Sequence, residues 1–310
     1  MMNASGASCA RMFCKLALML CMCAAASAQG LEPDRQTEAQ SAFSAAQKAQ
    51  TRGPADIALS DQGTLKLPNG FVYIPPKEGA RLLTVMGNRP GDGLLGLILP
   101  EGKDDWLVVL QLQKAGFIKD EEAKDWKVDE LLANIKAGTE EANKDRRARA
   151  IPELEVIGWV EPPAYDASTH RLVWSLSSKQ RGEPDSAERG VNYNTYALGR
   201  DGYISLNLVT GMNMIQSYKP TAHRLLGALE YKEGKRYADF NASTDRVAEY
   251  GLAALIGGVA AKKLGLFAVM AAFVLKFTKL IGIALVGLIA ALGKFLGRKK
   301  ATTANAPPAN

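Results

Sequence analysis

The chain has 310 residues, 47% hydrophobic and 23% charged, a balance that excludes wholesale disorder and supplies enough apolar material for one or two folded domains. Four cysteines and two histidines are too few for a zinc-finger array or a cluster-rich redox protein. The formal charge of +6 sits at the ends: residues 1–28 carry two basic groups and no acid, residues 262–310 carry eight and no acid, and the remaining −4 on residues 29–261 argues against a nucleic-acid-binding body.

Arg11 and Lys15 precede the apolar run Leu16 to Ala26, and Ala26-Ser27-Ala28 places small residues at −3 and −1. This pattern predicts a signal peptide over 1–28, cut before Gln29; the apolar run is shorter than the roughly 20 residues of a membrane span. A lipoprotein signal is the competing reading, but Leu20 and Met22, ahead of Cys21 and Cys23, are large where a small residue is wanted. All four cysteines lie before the cut, so a mature chain would have no disulfide, thiolate metal site or cysteine nucleophile.

Residues 29–60 read as a polar, Ala/Gln-rich arm, with Ala39, Ala42, Phe43 and Ala46 at weak helical spacing, and the compact domain is expected from near Gly63, over 61–248. Strands are predicted at Thr64–Leu67 and Phe71–Ile74, with Pro68-Asn69-Gly70 as a hairpin turn, and at Gly93–Leu99 and Trp106–Leu112. Leu131, Leu132, Ile135 and Ala142 predict a helix over Val128–Ala150 with Asp129 as its cap. Four more strands follow at Leu154–Val160, His170–Ser177, Val191–Leu198 and Tyr203–Val209, the last two joined through Asp201-Gly202. A helix at Thr221–Leu229 comes next, and Thr244 or Asp245 is expected to cap a helix running on toward the C-terminus. Hairpins with intervening helices give an α+β class: a mostly antiparallel sheet, a few packed helices and a C-terminal membrane helix.

Residues 249–300 form that anchor. Apolar blocks at Gly251–Ala261, Leu264–Leu275 and Leu280–Gly293 are separated by Lys262-Lys263 and by Lys276 with Lys279, and no acid follows Glu249. On one continuous helix Lys262, Lys276, Lys279 and Lys294 share a sector about 100° wide, from which they can snorkel or meet a partner helix. One span within Leu264–Leu296, with Arg298, Lys299 and Lys300 on the cytoplasmic side, is the first reading; an amphipathic helix lying on anionic lipid is the second. Residues 301–310 read as a disordered tail.

Several segments together resemble one family. Gly87-Asn88-Arg89-Pro90 through Pro100, Gly116-Phe117-Ile118-Lys119-Asp120, Gly158-Trp159, Pro163-Ala164-Tyr165-Asp166, Thr169 to Trp174, Val191 to Asn194, Gly234 to Phe240 and Tyr250-Gly251-Leu252 are similar to the bacterial membrane-anchored proteins of domain of unknown function 2167. The resemblance spans about residues 60–300 and implies an exported domain on a C-terminal anchor, with no activity and no catalytic residue to carry over. Lys276 and Lys279 interrupt the anchor and depart from the pattern.

No catalytic constellation, cofactor site or metal site is read from the residues. Asp166 and His170, four apart with Ser168 or Ser175 nearby, offer a hydrolase alternative, but no G-x-S-x-G elbow accompanies them. His223 reads as a surface or capping residue, and Asp120, Glu121, Glu122 and Asp125 as a solvated acidic loop. Arg146, Arg147 and Arg149 read as a solvated helix end or a site facing anionic headgroups. Trp159, Trp174 and Tyr196 on alternating strands are expected to share one sheet face. They read either as core or as the wall of a groove in which Asn192, Asn194, Arg200, Asp166 and His170 orient a peptide, glycan or lipid. The expected protein is therefore a non-enzymatic binding or interaction module of the bacterial envelope. It would be single-pass in the cytoplasmic membrane with its main domain outside, self-associating or meeting an envelope partner through its C-terminal helix, and binding no nucleic acid. The alternatives are an envelope hydrolase and a peripheral anionic-lipid-binding protein.

Overall fold

A computed structural model of the full chain describes residues 33–257. The signal-peptide cut and the basic groups Lys262, Lys263, Lys276, Lys279, Lys294, Arg298, Lys299 and Lys300 lie outside the described residues. Among the described residues no helix is long and apolar enough to cross a membrane.

The elements are α1 (Pro33–Ala49), β1 (Thr51–Arg52), β2 (Ala55–Leu59), β3 (Gly63–Leu67), β4 (Phe71–Ile74), α2 (Pro76–Val85), β5 (Leu94–Pro100) and β6 (Trp106–Gln113). They continue with α3 (Val128–Ala148), β7 (Leu154–Asp166), β8 (Arg171–Gln180), β9 (Gly190–Gly199), β10 (Gly202–Gly211), α4 (Ile215–Gly227), β11 (Leu229–Tyr231) and α5 (Leu252–Gly257). Short 3₁₀ turns occupy Glu121–Asp125 and Tyr237–Asp239. The class is α+β. A large antiparallel sheet has the order β1-β4-β5-β6-β10-β9-β8-β7, and a small one has the order β11-β3-β2.

The large sheet buries both faces. One face packs Tyr73, Val108, Leu110, Tyr193, Ile204 and Leu206 against the small sheet and against Ile215, Tyr218, Leu225 and Leu226 of α4. The opposite face is covered in two parts. At one end Ile74, Leu97 and Leu99 meet Ala42 and Ala46 of α1 and Leu82 and Leu83 of α2. At the other, Leu172, Trp174, Leu176 and Tyr196 meet Leu131 of α3 and Leu252, Leu255 and Ile256 of α5.

Several local expectations need correction. Pro68-Asn69-Gly70 does not close a hairpin: β3 pairs with β2 and β11, β4 with β1 and β5, so this turn passes the chain from one sheet to the other. Residues 33–60, read as an arm, contribute the fully buried Ala42 and Ala46 and the buried Ile57 and Leu59. The N-cap of α3 is Lys127, while Asp129 lies in its first turn, where a negative charge suits the helix dipole. Helix α4 begins six residues before Thr221 and carries Pro220 within it, because Ile215 and Tyr218 are buried anchors on that earlier turn. Asp245 caps no helix. Its carboxylate takes a bidentate ion pair from Arg200, Nε to Oδ2 at 2.7 Å and Nη2 to Oδ1 at 2.8 Å, and these bonds hold its pKa far below the usual carboxylate range. Next to that pair Phe117 N donates to Arg246 O and Ala248 N to Phe117 O, both at 2.8 Å, so residues 245–248 are clamped along residues 115–117.

Candidate functional site

The face of β8, β9 and β10 beneath α3 carries an unusual composition. Because directly opposed antiparallel residues project to the same side, the register places Trp174 beside Asn194, Leu176 beside Asn192, and Asn207 beside Asn194. Three asparagines therefore stand on one sheet face where neighbouring rows supply Leu172, Tyr196 and Leu198. Helix α3 crosses this face with Ile135 and Thr139, and between them lies a half-open cavity of about 250 Å³, lined also by Leu154, Val156, Leu176 and Ser178.

Among the described residues no ionisable side chain lines the chamber. Trp174 and Asn194 are each 8% exposed. Asn194 spends its Nδ2 on Asn192 O at a long 3.3 Å, and Asn207 Oδ1 is buried without a hydrogen-bond partner among the described residues. A buried amide oxygen left without a donor costs about 1–3 kcal/mol, so a core built for stability alone would carry an apolar side chain there. The roof is fixed by Asn143 of α3, fully buried, whose Nδ2 donates to Leu154 O at 2.8 Å while its Oδ1 accepts from Leu154 N at 2.9 Å.

Trp159, Trp174 and Tyr196 lie in the same cluster, with Trp159 edge-on to Trp174 at 6.1 Å and Trp174 stacked on Tyr196 at 6.3 Å. Of the eight residues expected to form a groove, Trp174, Asn192 and Asn194 line the chamber, and Trp159 and Tyr196 pack in the aromatic layer around it. Asp166, His170 and Arg200 line no part of it. Asn207 completes the chamber and was not singled out from the sequence; the available signal was the pair of hairpin-related amides on β9 and β10.

The Asp166–His170 pair of the hydrolase alternative is not formed. Asp166 accepts from Ser168 N and Oγ at 2.9 and 2.6 Å and from Thr169 Oγ1 at 2.8 Å, bonds that lower its pKa to about 2 and close the β7–β8 turn. His170, with φ +52°, instead turns its Nδ1 to the Tyr165 hydroxyl at 3.1 Å and to Asp120 at 3.4 Å, and stacks on Tyr237. Tyr165 donates to Asp120 at 2.7 Å; burial, followed by this bond, raises its pKa. His223 sits in a parallel arrangement: its Nε2 is 2.9 Å from the Tyr193 hydroxyl, which donates to Glu161 at 2.9 Å. Both histidines thus join a tyrosine and a carboxylate in cross-element ties, and neither faces the chamber. Arg200 belongs to the Asp245 clamp.

The acidic loop is more structural than its composition suggests, since Glu122 accepts from Ala253 N at 2.7 Å at the start of α5. The arginines ending α3 are likewise engaged: Arg146 donates to Pro152 O, Arg147 to Glu153, and Arg149 to Asp145 and Gly87 O. Among the described residues no group of three or more His, Cys, Asp or Glu is placed to hold a metal ion.

A comparison with curated proteins finds no match. Among solved structures, the chain is similar to the solution structure of cyanobacterial PsbP (CyanoP) from Synechocystis sp. PCC 6803. The two share 11% identity over 59% of this chain and 91% of that one, with a TM-score of 0.35, a likeness too slight to carry an argument. The family comparison covers most of the chain: the model described as protein of unknown function DUF2167 matches residues 51–289, and the chain belongs to that family.

Proposed function

We propose that this protein is a membrane-tethered, non-enzymatic module of the bacterial envelope that binds a small uncharged ligand in the chamber beneath α3. The carrying observation is the set of three neutral amides, the buried Asn194 and the half-buried Asn192 and Asn207, on one sheet face around an open volume, with Asn207 Oδ1 lacking a donor among the described residues. A charged ligand would lose its hydration there without meeting a counter-charge. A neutral ligand with amide or hydroxyl groups gains hydrogen bonds from the asparagines and contact with Trp174 and Leu176.

The tether reading rests on the signal pattern over 1–28 and on the lysine-punctuated apolar residues that follow α5; the start of the expected anchor, with Leu252, Leu255 and Ile256, belongs instead to the folded body. In this arrangement residues 61–248 lie outside the cytoplasmic membrane, Arg298, Lys299 and Lys300 remain inside, and the lysine sector of the anchor meets a second copy or an envelope partner.

Full-length protein in neutral detergent tests the chamber through its tryptophan emission. Titration with N-acetylglucosamine is expected to give a saturable change, while glucosamine, the charged relative, gives none. Asn207→Leu is expected to weaken the response about tenfold and to stabilise the unliganded protein by about 1 kcal/mol. An equal response to both sugars, or an unaltered response in the variant, would defeat the proposal. Alkaline extraction checks the tether separately: the protein is expected to stay in the membrane pellet, and its release into the supernatant would reject an integral anchor.

A further inference from the structure

A second groove lies at the opposite end of β8, where the β7–β8 turn approaches residues 229–238. It encloses about 460 Å³ and is lined by Ser168, Thr169, His170 and Arg171 on one side and by Glu230, Arg236 and Tyr237 on the other, over a floor that includes Ala197 and Leu198. From this groove we infer a binding site for a phosphate group, held between Arg171 and Arg236.

The two arginines stand apart from most others. Seven described arginines form ion pairs with carboxylates, Arg200 with Asp245 among them. Neither Arg171 nor Arg236 has a carboxylate partner among the described residues. Among the described residues the guanidinium of Arg171 makes only a long 3.5 Å contact with Leu229 O. The acids near the groove have other partners: Glu230 holds Lys66 at 2.8 Å, Asp239 accepts from the backbone N of Arg236 at 2.9 Å, Asp166 accepts from Ser168 and Thr169, and Asp120 accepts from Tyr165 at 2.7 Å.

Register brings the pair together. Arg171 is opposite Ala197, and Arg236 is bridged antiparallel to Gly199, so the two partners lie two residues apart on β9. Directly opposed residues project to one face, which puts both arginines on the same side and separates their backbones by about 7 Å along the strand. Two long side chains reach a common anion across that distance, and guanidinium forks match the tetrahedral oxygens of phosphate. Gly199 permits the approach: a Cβ there would lie 2.6 Å from the Tyr231 ring and 3.0 Å from Lys235 O, so residues 231–236 could not come so close to β9. The stack of His170 on Tyr237, with ring centroids 3.9 Å apart, fixes the far wall.

The site is independent of the chamber beneath α3. Inorganic phosphate titrated calorimetrically into full-length protein in neutral detergent, at constant ionic strength, is expected to bind saturably. Arg236→Gln, an exposed position that leaves the core intact, and Arg171→Gln are each expected to weaken binding about tenfold. Arg171→Lys is expected to retain part of it, and Arg224→Gln, on α4 over the Phe71 ring, to retain all of it. Doping the micelles with phosphatidylglycerol distinguishes two sources of the group: a fall in phosphate affinity identifies a lipid headgroup as the occupant, and unchanged affinity identifies a soluble phosphate ligand. Absence of saturable binding to the wild type, or equal binding in Arg236→Gln with an unchanged melting temperature, would overturn the assignment.

Discussion

Replacing Gly96 with alanine is expected to lower stability by about 3 kcal/mol and the melting temperature by about 10 °C. Gly96 sits at the irregularity of β5 with φ +132°, a backbone conformation that residues with a Cβ rarely adopt. A methyl group there would lie 2.5 Å from Tyr73 Cε2 and 2.6 Å from Ile74 O. The second neighbour is backbone of the paired strand and cannot rotate aside. The first is a ring fixed by its own hydroxyl, which donates to Leu95 O at 2.6 Å, so moving Tyr73 would sacrifice a buried hydrogen bond. Differential scanning calorimetry measures the effect directly. A melting temperature within about two degrees of the wild type would show that β4 and β5 can separate locally, contrary to the tight packing described.

Asn143→Ala is the second large effect, expected at about 3 kcal/mol. Leu154 opens β7, the outermost strand of the sheet, and its N–H and C=O are both satisfied by the one Asn143 amide. Alanine leaves both backbone groups without their partner and removes the tie between α3 and the strand at the rim of the chamber. Denaturant unfolding should report the loss. Hydrogen exchange at the Leu154 amide should accelerate at the same time, together with a weakened response to the neutral sugar. Full retention of exchange protection at Leu154 would show that another group satisfies that amide. Asn143→Leu is expected to be similarly destabilising despite its matching volume, because shape alone supplies no hydrogen bond.

Local periodicity made most of the sheet legible. The runs at residues 94–99, 106–112, 191–198 and 203–209 alternate or remain apolar over strand-like lengths, and the structure places a strand over each. The turn at Pro68-Asn69-Gly70 misled because turn chemistry specifies a change of direction, whereas strand pairing depends on long-range burial. Helix α1 hid for a related reason: its contact surface is made of alanines, whose small apolar area gives a weak pattern even when Ala42 and Ala46 are fully buried. In the chamber, Trp174, Asn192 and Asn194 were accessible from alternation along single strands. Asn207 and Asn143 were not, since the first needs the β9–β10 register and the second a contact between helix and strand. Asp166, His170 and Arg200 share the chemical type of these residues but not their place in the fold: Asp166 is saturated locally by Ser168 and Thr169, whereas His170 and Arg200 meet Asp120 and Asp245, partners that sequence spacing does not reveal.

The two margins of the large sheet differ from its interior. One ends in β1, only two residues long. The other ends in β7, whose register against β8 shifts three times and which carries Pro162 and Pro163 at the last shift. Neither border presents a long, regular row of unpaired amides to a passing strand. Edge-to-edge joining of the large sheets of two neighbouring copies is therefore disfavoured at both borders, a protection that a wide eight-stranded sheet would otherwise lack.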